Sequence, residues 1–156
     1  MIRPSLMPLA RHCGHAAYLA EKYAAGSAAA EKGTAFHKLV SDVINGRAVN
    51  ADVSAFLATF PKGKLESEVP VQLRDPDTGE LLSEGTADVV ITHDDESLTV
   101  IDVKTGMPER VDHVDDNFQV LTYGLALALD RKAPRFRGGL YFTQFPPLQL
   151  GQWVTP

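Results

Sequence analysis

The chain has 156 residues, enough for a hydrophobic core, and its length predicts a single domain over residues 1–156. Apolar residues make up 44% and charged residues 22%, as in an ordinary globular protein, and the formal net charge is −5. Because it has one cysteine, no signal-peptide pattern and no apolar run of about 18 residues, the sequence predicts a cytoplasmic protein rather than a membrane, secreted or disulfide-bonded one.

The N-terminal part of the chain predicts two helices. Residues 5–24 have apolar side chains at helical spacing, interrupted or preceded by Pro8, and Cys13 in this segment is interpreted as a core residue. A second helix is predicted from about Ala28 to Asn45, with Gly46 just past its end.

His37 lies on the second predicted helix, four residues after Gly33, so the two positions share one face. The absent side chain of Gly33 leaves room beside His37 for another element to approach closely. Considered alone, a single histidine on a helix is more often structural than a metal ligand.

Three strands are predicted to follow as an antiparallel meander that ends at Lys104. In the first, residues 65–73, apolar residues alternate with polar ones, so that Glu68 lies on the polar face. The segment 75–80, with the sequence DPDTGE, has the composition of a turn, and residues 81–92 form the next strand. The alternation leaves open whether Glu68 shares a side with the carboxylates of the later strands.

The hairpin formed by the second and third strands contains charged residues within otherwise apolar runs. Asp102 and Lys104 are two apart and point to the same face. A three-residue loop at 94–96 would place Asp88 opposite Asp102, with Cα atoms about 4.5–5.5 Å apart. A two-residue loop would instead place Asp88 opposite Ile101.

Converging carboxylates such as Asp88 and Asp102 repel each other unless they are protonated or bridged by a cation. Oxygen ligands of this kind suit Mg²⁺ or Mn²⁺. Lys104, on the same face, would then lie near a metal-bound water or a phosphate. The alternative interpretation is a solvated hairpin face with an ordinary Asp–Lys pair.

The C-terminal part predicts a helix and a strand. The helix is expected from about Asp115 to Asp130, capped by Asp115 or Asp116. Gln119 and Tyr123 are four apart and share a face of this helix. The strand, residues 138–145, is expected to lie parallel to the Asp102 strand through a right-handed crossover. The apolar stripe of the helix is predicted to consist of Phe118, Leu121, Leu125 and Leu129.

The charge is unevenly distributed along the chain. Residues 75–116 contain 13 acidic and two basic side chains, a net charge of −11, which leaves 7 acidic and 13 basic side chains, or +6, elsewhere. An acidic region around a metal site with a basic periphery is compatible with a phosphate backbone as the ligand.

Five motifs occur in order: His37 on a helix, Glu68 on a strand, G-x-x-D at 85–88, D-x-K-T-G at 102–106 and Q-x-x-x-Y at 119–123. This succession, over residues 33–123, resembles the PD-(D/E)xK nuclease superfamily, and within it the RecB/Cas4-like branch with its phage-type exonucleases. The resemblance implies an α/β, restriction-endonuclease-like core of order α-β-β-β-α-β. Its central mixed sheet would combine an antiparallel meander with a parallel strand and be flanked by helices.

The resemblance also implies a role for each matched residue. Metal ligands would be His37, Asp88, Asp102 and the backbone carbonyl of Val103. Lys104 would be the catalytic lysine, and Gln119 with Tyr123 would line the site and contact the substrate or orient Lys104. Glu68 matches an acidic position found in some members. The cofactor would be one or two Mg²⁺ or Mn²⁺ ions.

One departure concerns the iron–sulfur members of that branch. Ser5, Cys13 and Tyr18 resemble the start of their N-terminal helix, but the three later cysteines of the cluster are missing. No iron–sulfur cluster is therefore predicted.

The predicted function is a metal-dependent DNA nuclease, in particular an exonuclease of DNA recombination, repair or phage DNA processing. Its substrate would be linear double- or single-stranded DNA. Because a small domain offers little surface for processive tracking, a homo-oligomer or a recombination partner protein is expected. The alternatives are a catalytically inactive nucleic-acid-binding or assembly module of the same fold, a phosphohydrolase acting on nucleotides, and an acidic protein-interaction domain.

Overall fold

The computed structural model describes residues 28–145 and 148–156, without the side chains of residues 28–32 and of residue 110. The predicted helix at 5–24, its Cys13, and the pattern of Ser5 and Tyr18 lie outside the described residues. Among the residues described, no helix has both the length and the apolar character needed to cross a membrane.

The centre of the described structure is a five-stranded sheet in the order β1-β2-β3-β4-β5. The strands are β1 (Lys64–Arg74), β2 (Leu81–Thr92), β3 (Leu98–Lys104), β4 (Phe136–Phe142) and β5 (Gln149–Leu150). β1, β2 and β3 pair antiparallel, β4 pairs parallel with β3, and β5 pairs antiparallel with β4. The predicted α/β class with an antiparallel meander and a parallel strand is thus confirmed.

Helices cover both faces of this sheet. They are α1 (Ala28–Ile44), α2 (Ala51–Leu57) and α3 (Phe118–Arg131), and short 3₁₀ turns occur at Pro108–Arg110 and Val114–Asp116. Val89, Ile101 and neighbouring apolar residues pack on the side of α1 and α2, whereas Val90 and Val100 pack under α3. The alternation of side chains along β2 and β3 therefore supplies two cores, one on each face.

The turn between β2 and β3 fixes the register of the hairpin. The backbone N–H of His93 donates to the carbonyl of Ser97 at 3.0 Å, and Glu96, with φ +62°, closes a three-residue loop. The last paired residues before the site are Val89 and Ile101, so Asp88 and Asp102 are the next to face each other. This is the register that the three-residue loop predicted.

The start of α3 differs from the prediction. Asp115 and Asp116 belong to the preceding 3₁₀ turn, and the helix cap is Asn117. The side-chain oxygen of Asn117 accepts from the backbone N–H groups of Gln119 and Val120 at 3.1 and 3.3 Å. Aspartate and asparagine cap helices about equally well, so composition alone did not select among these three neighbouring positions.

The predicted apolar stripe of α3 is correct in part, because Leu121 and Leu125 pack against the core beneath the helix. Phe118 and Leu129 remain 40% and 48% exposed, while the sheet side carries Val120, Tyr123 and Leu127 together with small residues. Gly124 lies against the ring of Phe136, where any Cβ would collide with it. The small residues let α3 approach the sheet closely. The buried face of the helix is therefore the one that carries the small residues, and not the one with the largest apolar side chains. β4 also begins at Phe136, two residues before the predicted start.

Candidate functional site

The site lies where the pairing between β2 and β3 ends. In a continuous ladder, the N–H and C=O groups of Val103 would bond to the backbone of β2. The pairing ends at Val89 and Ile101, and side chains bond to these two groups instead. The carboxylate of Asp88 accepts from the Val103 N–H at 2.7 Å, and Nε2 of His37 donates to the Val103 carbonyl at 2.7 Å. A carboxylate, an imidazole and a backbone carbonyl are thereby held at one point.

His37 uses its other ring nitrogen to contact Asp88, with Nδ1 3.3 Å from Oδ1. The hydrogen bond that Nδ1 of His37 donates to Asp88 outweighs the opposing effect of burial and raises the pKa of His37 to about 9. Without a cation the ring is therefore an imidazolium held between Asp88 and Val103.

The loop that follows β3 approaches α1 closely at Gly33. This agrees with the prediction that another element comes close to the helix beside His37. A Cβ at Gly33 would lie 3.3 Å from the hydroxyl oxygen of Thr105, which is a tight contact. The D-x-K-T-G segment therefore passes directly over the helix turn that carries His37.

Asp102 is the most deeply buried charged group of the site, with 5% of its surface exposed. Burial raises its pKa, and repulsion from Asp88 adds to this against the attraction of Lys104. Nζ of Lys104 lies 2.7 Å from Oδ2, an ion pair that is close but poorly aligned for a hydrogen bond. Oδ2 therefore depends on the charge of Lys104 and keeps a lone pair that could bind a cation.

Lys104 is fixed from two sides. In addition to its ion pair with Asp102, its ammonium donates to Oε1 of Gln119 at 3.0 Å. Gln119 lies in the first turn of α3, so the cap at Asn117 indirectly positions the amide that holds Lys104.

Tyr123 lies behind Gln119 and does not line the cavity. It is 5% exposed, and burial, followed by the charge of Asp102, raises the pKa of its phenol. Its hydroxyl rests against Gly85, where a Cβ would overlap both the hydroxyl and the ring. Gly85, the first position of the G-x-x-D motif, thus leaves space for Tyr123. In the sequence this role is indicated only by a glycine within a predicted strand.

Glu68 faces the same group from β1. The register of β1 and β2 aligns it with Asp88, and it has a φ of +52°, which is unusual for a residue with a Cβ. His37, Glu68 and Asp88 each offer a ligand atom, and these atoms lie within 4.8 Å of one another. Partial desolvation and repulsion from Asp88 raise the pKa of Glu68. Carboxylates from β1, β2 and β3 therefore lie side by side across the sheet.

Two adjoining cavities meet at His37. The first, of about 360 Å³, is lined by Gly33, Thr34, His37, Asp88, Asp102, Val103, Lys104, Thr105, Gly106 and Gln119. The second, of about 420 Å³, is lined by Thr34, His37, Lys38, Ser41 and Glu68. Thr34 belongs to both and was not singled out in the sequence, although it lies one helical turn before His37 and so shares its face.

This donor set suits a hard divalent cation. It combines carboxylate oxygens, a backbone carbonyl and an imidazole nitrogen, the ligands that Mg²⁺ and Mn²⁺ accept. Three carboxylates, those of Glu68, Asp88 and Asp102, face the two cationic groups of His37 and Lys104, so the site has an excess of negative charge. A cation would neutralise that charge.

Comparisons with known proteins agree with this fold. The sequence model of the PD-(D/E)XK nuclease superfamily matches residues 65–150. No significant match to a curated protein is found. The crystal structure of SSO0001 is similar, with a TM-score of 0.52 and 16% sequence identity over 96% of this chain and 63% of that chain. This chain therefore spans less than two thirds of SSO0001, and at this identity the likeness concerns the fold alone.

Proposed function

We propose that this chain, which belongs to the PD-(D/E)XK nuclease superfamily, is a divalent-metal-dependent nuclease that hydrolyses phosphodiester bonds in DNA. The observation that carries the proposal is the convergence of Asp88, Asp102, Lys104 and His37 on one cavity, with the Asp102 carboxylate 5% exposed and paired with Lys104 in a poorly aligned contact. Two carboxylates held close together with one of them buried are costly unless a cation offsets their charge.

Asp88, Asp102, His37 and the carbonyl of Val103 would hold one Mg²⁺ or Mn²⁺, and Glu68 lies within reach as a further ligand or as part of a second site. Such an ion supplies Lewis-acid polarisation of the scissile phosphate and lowers the pKa of a bound water. His37 would have to release one ring proton to become a ligand, since both ring nitrogens are engaged in the metal-free arrangement.

Lys104 would supply the positive charge that acts on the substrate. In the present arrangement its ammonium is shared by Asp102 and Gln119, at 2.7 and 3.0 Å. With a cation held by Asp102, Lys104 would keep the amide of Gln119 as a partner, and this contact would orient it toward the cavity. From there the ammonium can stabilise charge on the phosphate or assist deprotonation of the attacking water. Tyr123 would act through Gln119 as a positioning residue.

The finer features of the function rest on the motif resemblance. They are exonuclease action on linear double- or single-stranded DNA, a role in recombination, repair or phage DNA processing, the absence of an iron–sulfur cluster, an oligomer or recombination partner, and a cytoplasmic location. We propose these together with the RecB/Cas4-like assignment, and each stays a prediction.

The test is cleavage by the purified protein of linear, nicked and circular DNA and of RNA, with Mg²⁺, Mn²⁺ or EDTA. Metal-dependent loss of linear DNA is expected, and Asp102→Ala should lower the rate about a thousandfold, because several kcal/mol of transition-state stabilisation are lost. Glu84→Ala, an exposed acid on the same strand as Asp88, is the matched control and should retain activity.

The results also separate the alternatives. Equal, metal-independent behaviour of the wild type and Asp102→Ala would refute a nuclease. DNA binding without cleavage would identify an inactive module, and release of phosphate from free nucleotides alone would identify a nucleotide phosphohydrolase.

A further inference from the structure

A third cavity, of about 440 Å³, lies at the turn end of the β2–β3 hairpin, away from the carboxylates of the candidate metal site. Its lining combines basic and aromatic side chains, namely Lys62, His93, Arg135, Arg137 and Trp153, with Asp94 and Asp95 from the turn. Thr99, whose hydroxyl contacts two of these basic side chains, is three residues from Asp102 on β3. It therefore lies about 10 Å along the strand from Asp102 and on the opposite face. The cavity is therefore separate from the metal site.

The basic groups are held in place by a buried hydroxyl. Thr99 is fully buried, and its hydroxyl oxygen lies 2.8 Å from Nε2 of His93 and accepts from Nε of Arg137 at 3.1 Å. Nδ1 of His93 lies 2.8 Å from the backbone carbonyl of Lys62. Arg137 and His93 are thus fixed by the sheet and do not behave as independent surface side chains.

Both arginines pack against the ring of Trp153. Their guanidinium carbons lie 4.5 Å (Arg135) and 4.4 Å (Arg137) from the centroid of its ring. The ring is positioned by the next residue, Val154, which exchanges two backbone hydrogen bonds with Phe136 at 2.8 and 2.7 Å. A guanidinium that packs on an aromatic ring keeps the N–H donors at its edge available for an anion.

The charges of the two arginines are not equally compensated. Arg135 pairs with Asp95 at 2.9 Å, and Asp95 also accepts from the hydroxyl of Ser97. Within the described part of the chain Arg137 has no carboxylate partner. Its pKa is lowered by burial and by repulsion from Arg135, so an anion bound at the guanidinium of Arg137 would offset both effects.

We propose that this cavity binds a phosphate group of a nucleic-acid strand, through the edges of Arg137 and Arg135 with Lys62 beside them. Arginine forks match phosphate geometry, and a basic site of this kind contacts the strand backbone without reading its sequence. The site would hold nucleic acid at a point remote from the cleaved bond. It operates without a metal and without cleavage.

Trp153 is the single tryptophan of the chain, so its fluorescence reports on this cavity directly. The protein is titrated in EDTA with a single-stranded oligonucleotide, a 5′-mononucleotide and inorganic phosphate. We expect the oligonucleotide to change the emission in a saturable way and to bind more weakly at higher salt. The slope of log K against log salt should be about −0.7 for each phosphate contacted.

Arg137→Gln should weaken oligonucleotide binding about tenfold and make the slope less steep by about 0.7, because one charged phosphate contact is lost. Arg137→Lys should preserve most of the slope because the charge remains. The matched control is Arg47→Gln, which removes an exposed arginine paired with Asp42 and should leave binding unchanged.

An unchanged Trp153 emission with all three probes would overturn the proposal, as would an Arg137→Gln variant with the salt slope of the wild type. Equal affinity for the mononucleotide and the oligonucleotide would overturn the strand as the ligand and identify a free-nucleotide site. Asp102→Ala separates this inference from the nuclease proposal, because it should abolish cleavage while leaving the Trp153 response intact.

Discussion

Replacing Asp102 by asparagine is expected to stabilise the metal-free protein while abolishing its activity. The Asp102 carboxylate is 5% exposed, repelled by Asp88 and paired with Lys104 in a contact that is poorly aligned for a hydrogen bond. Lys104 compensates only in part, because burial outweighs its attraction in setting the pKa. Asparagine keeps the shape of the side chain and removes the desolvated charge.

The expected gain is about 1 kcal/mol in the free energy of unfolding, the size typical of one buried polar group that is poorly paired, or a rise in Tm of about 2–4 °C for a chain of this size. The size of this gain depends on pH. Because folding raises the pKa of Asp102, the ionised form is disfavoured in the folded state, and the wild type loses stability as pH rises from its unfolded value near 3.9 toward the folded one. Below about pH 3.9 the advantage of the variant should disappear.

A divalent cation should reverse the order of stability. Mn²⁺ at a hundred times its Kd stabilises a protein by about 2.7 kcal/mol, and Asp102→Asn should lose most of this gain because a ligand charge is missing. Thermal unfolding is measured from about pH 3 to pH 8 in EDTA and in excess Mn²⁺, with Glu84→Gln as the control for removing an exposed charge.

Two results would refute this reasoning. A lower Tm of Asp102→Asn in EDTA would mean that the Lys104 pair outweighs the cost of burial, and the group would then be a structural ion pair. Equal stabilisation of both proteins by Mn²⁺ would mean that Asp102 does not hold the ion.

Two further predictions concern Gly85 and His37. Gly85→Ala should destabilise the protein by about 1–3 kcal/mol in chemical denaturation, because the added methyl group displaces Tyr123. The variant should also cleave more slowly, while its affinity for Mn²⁺ stays unchanged. A loss of Mn²⁺ affinity would contradict this prediction. His37, with a pKa of about 9, stabilises the metal-free fold fully below its unfolded value of 6.5 and loses this contribution as pH rises through 9. Mn²⁺ binding at pH 7.5 should therefore release close to one proton per chain, measured by calorimetry in buffers of different ionisation enthalpy, and His37→Gln should release none.

The sequence predicted the sheet because its signals are local. The alternation in β2 and β3 and the odd loop length at 94–96 determine the register that sets Asp88 opposite Asp102, and the structure has this register. The alternation also predicted that Glu68 lies on a polar face. Its positive φ of +52° has no signal in the sequence, because the residues around it are those of an ordinary strand.

The phase of α3 could not be predicted from apolar side chains alone. Packing against the sheet is decided by the small residues at 124, 126 and 128, which a hydrophobic pattern counts weakly or not at all. The cavity around Trp153 was missed for a similar reason. Arg137, His93 and Trp153 are far apart in the sequence, and a fully buried threonine hydroxyl with a β-bridge brings them together.

The end of the β2–β3 ladder explains why the site forms where it does. A continuous ladder would occupy the N–H and C=O groups of Val103 with backbone partners and leave neither available. Here the N–H group fixes the Asp88 carboxylate at 2.7 Å, and the carbonyl receives His37 at 2.7 Å. The strand that carries Asp102 and Lys104 thus also orients the other two groups, through a single residue whose side chain lies in the core. Substitutions of Val103 that keep its volume should therefore preserve the site, because its contribution comes entirely from the backbone.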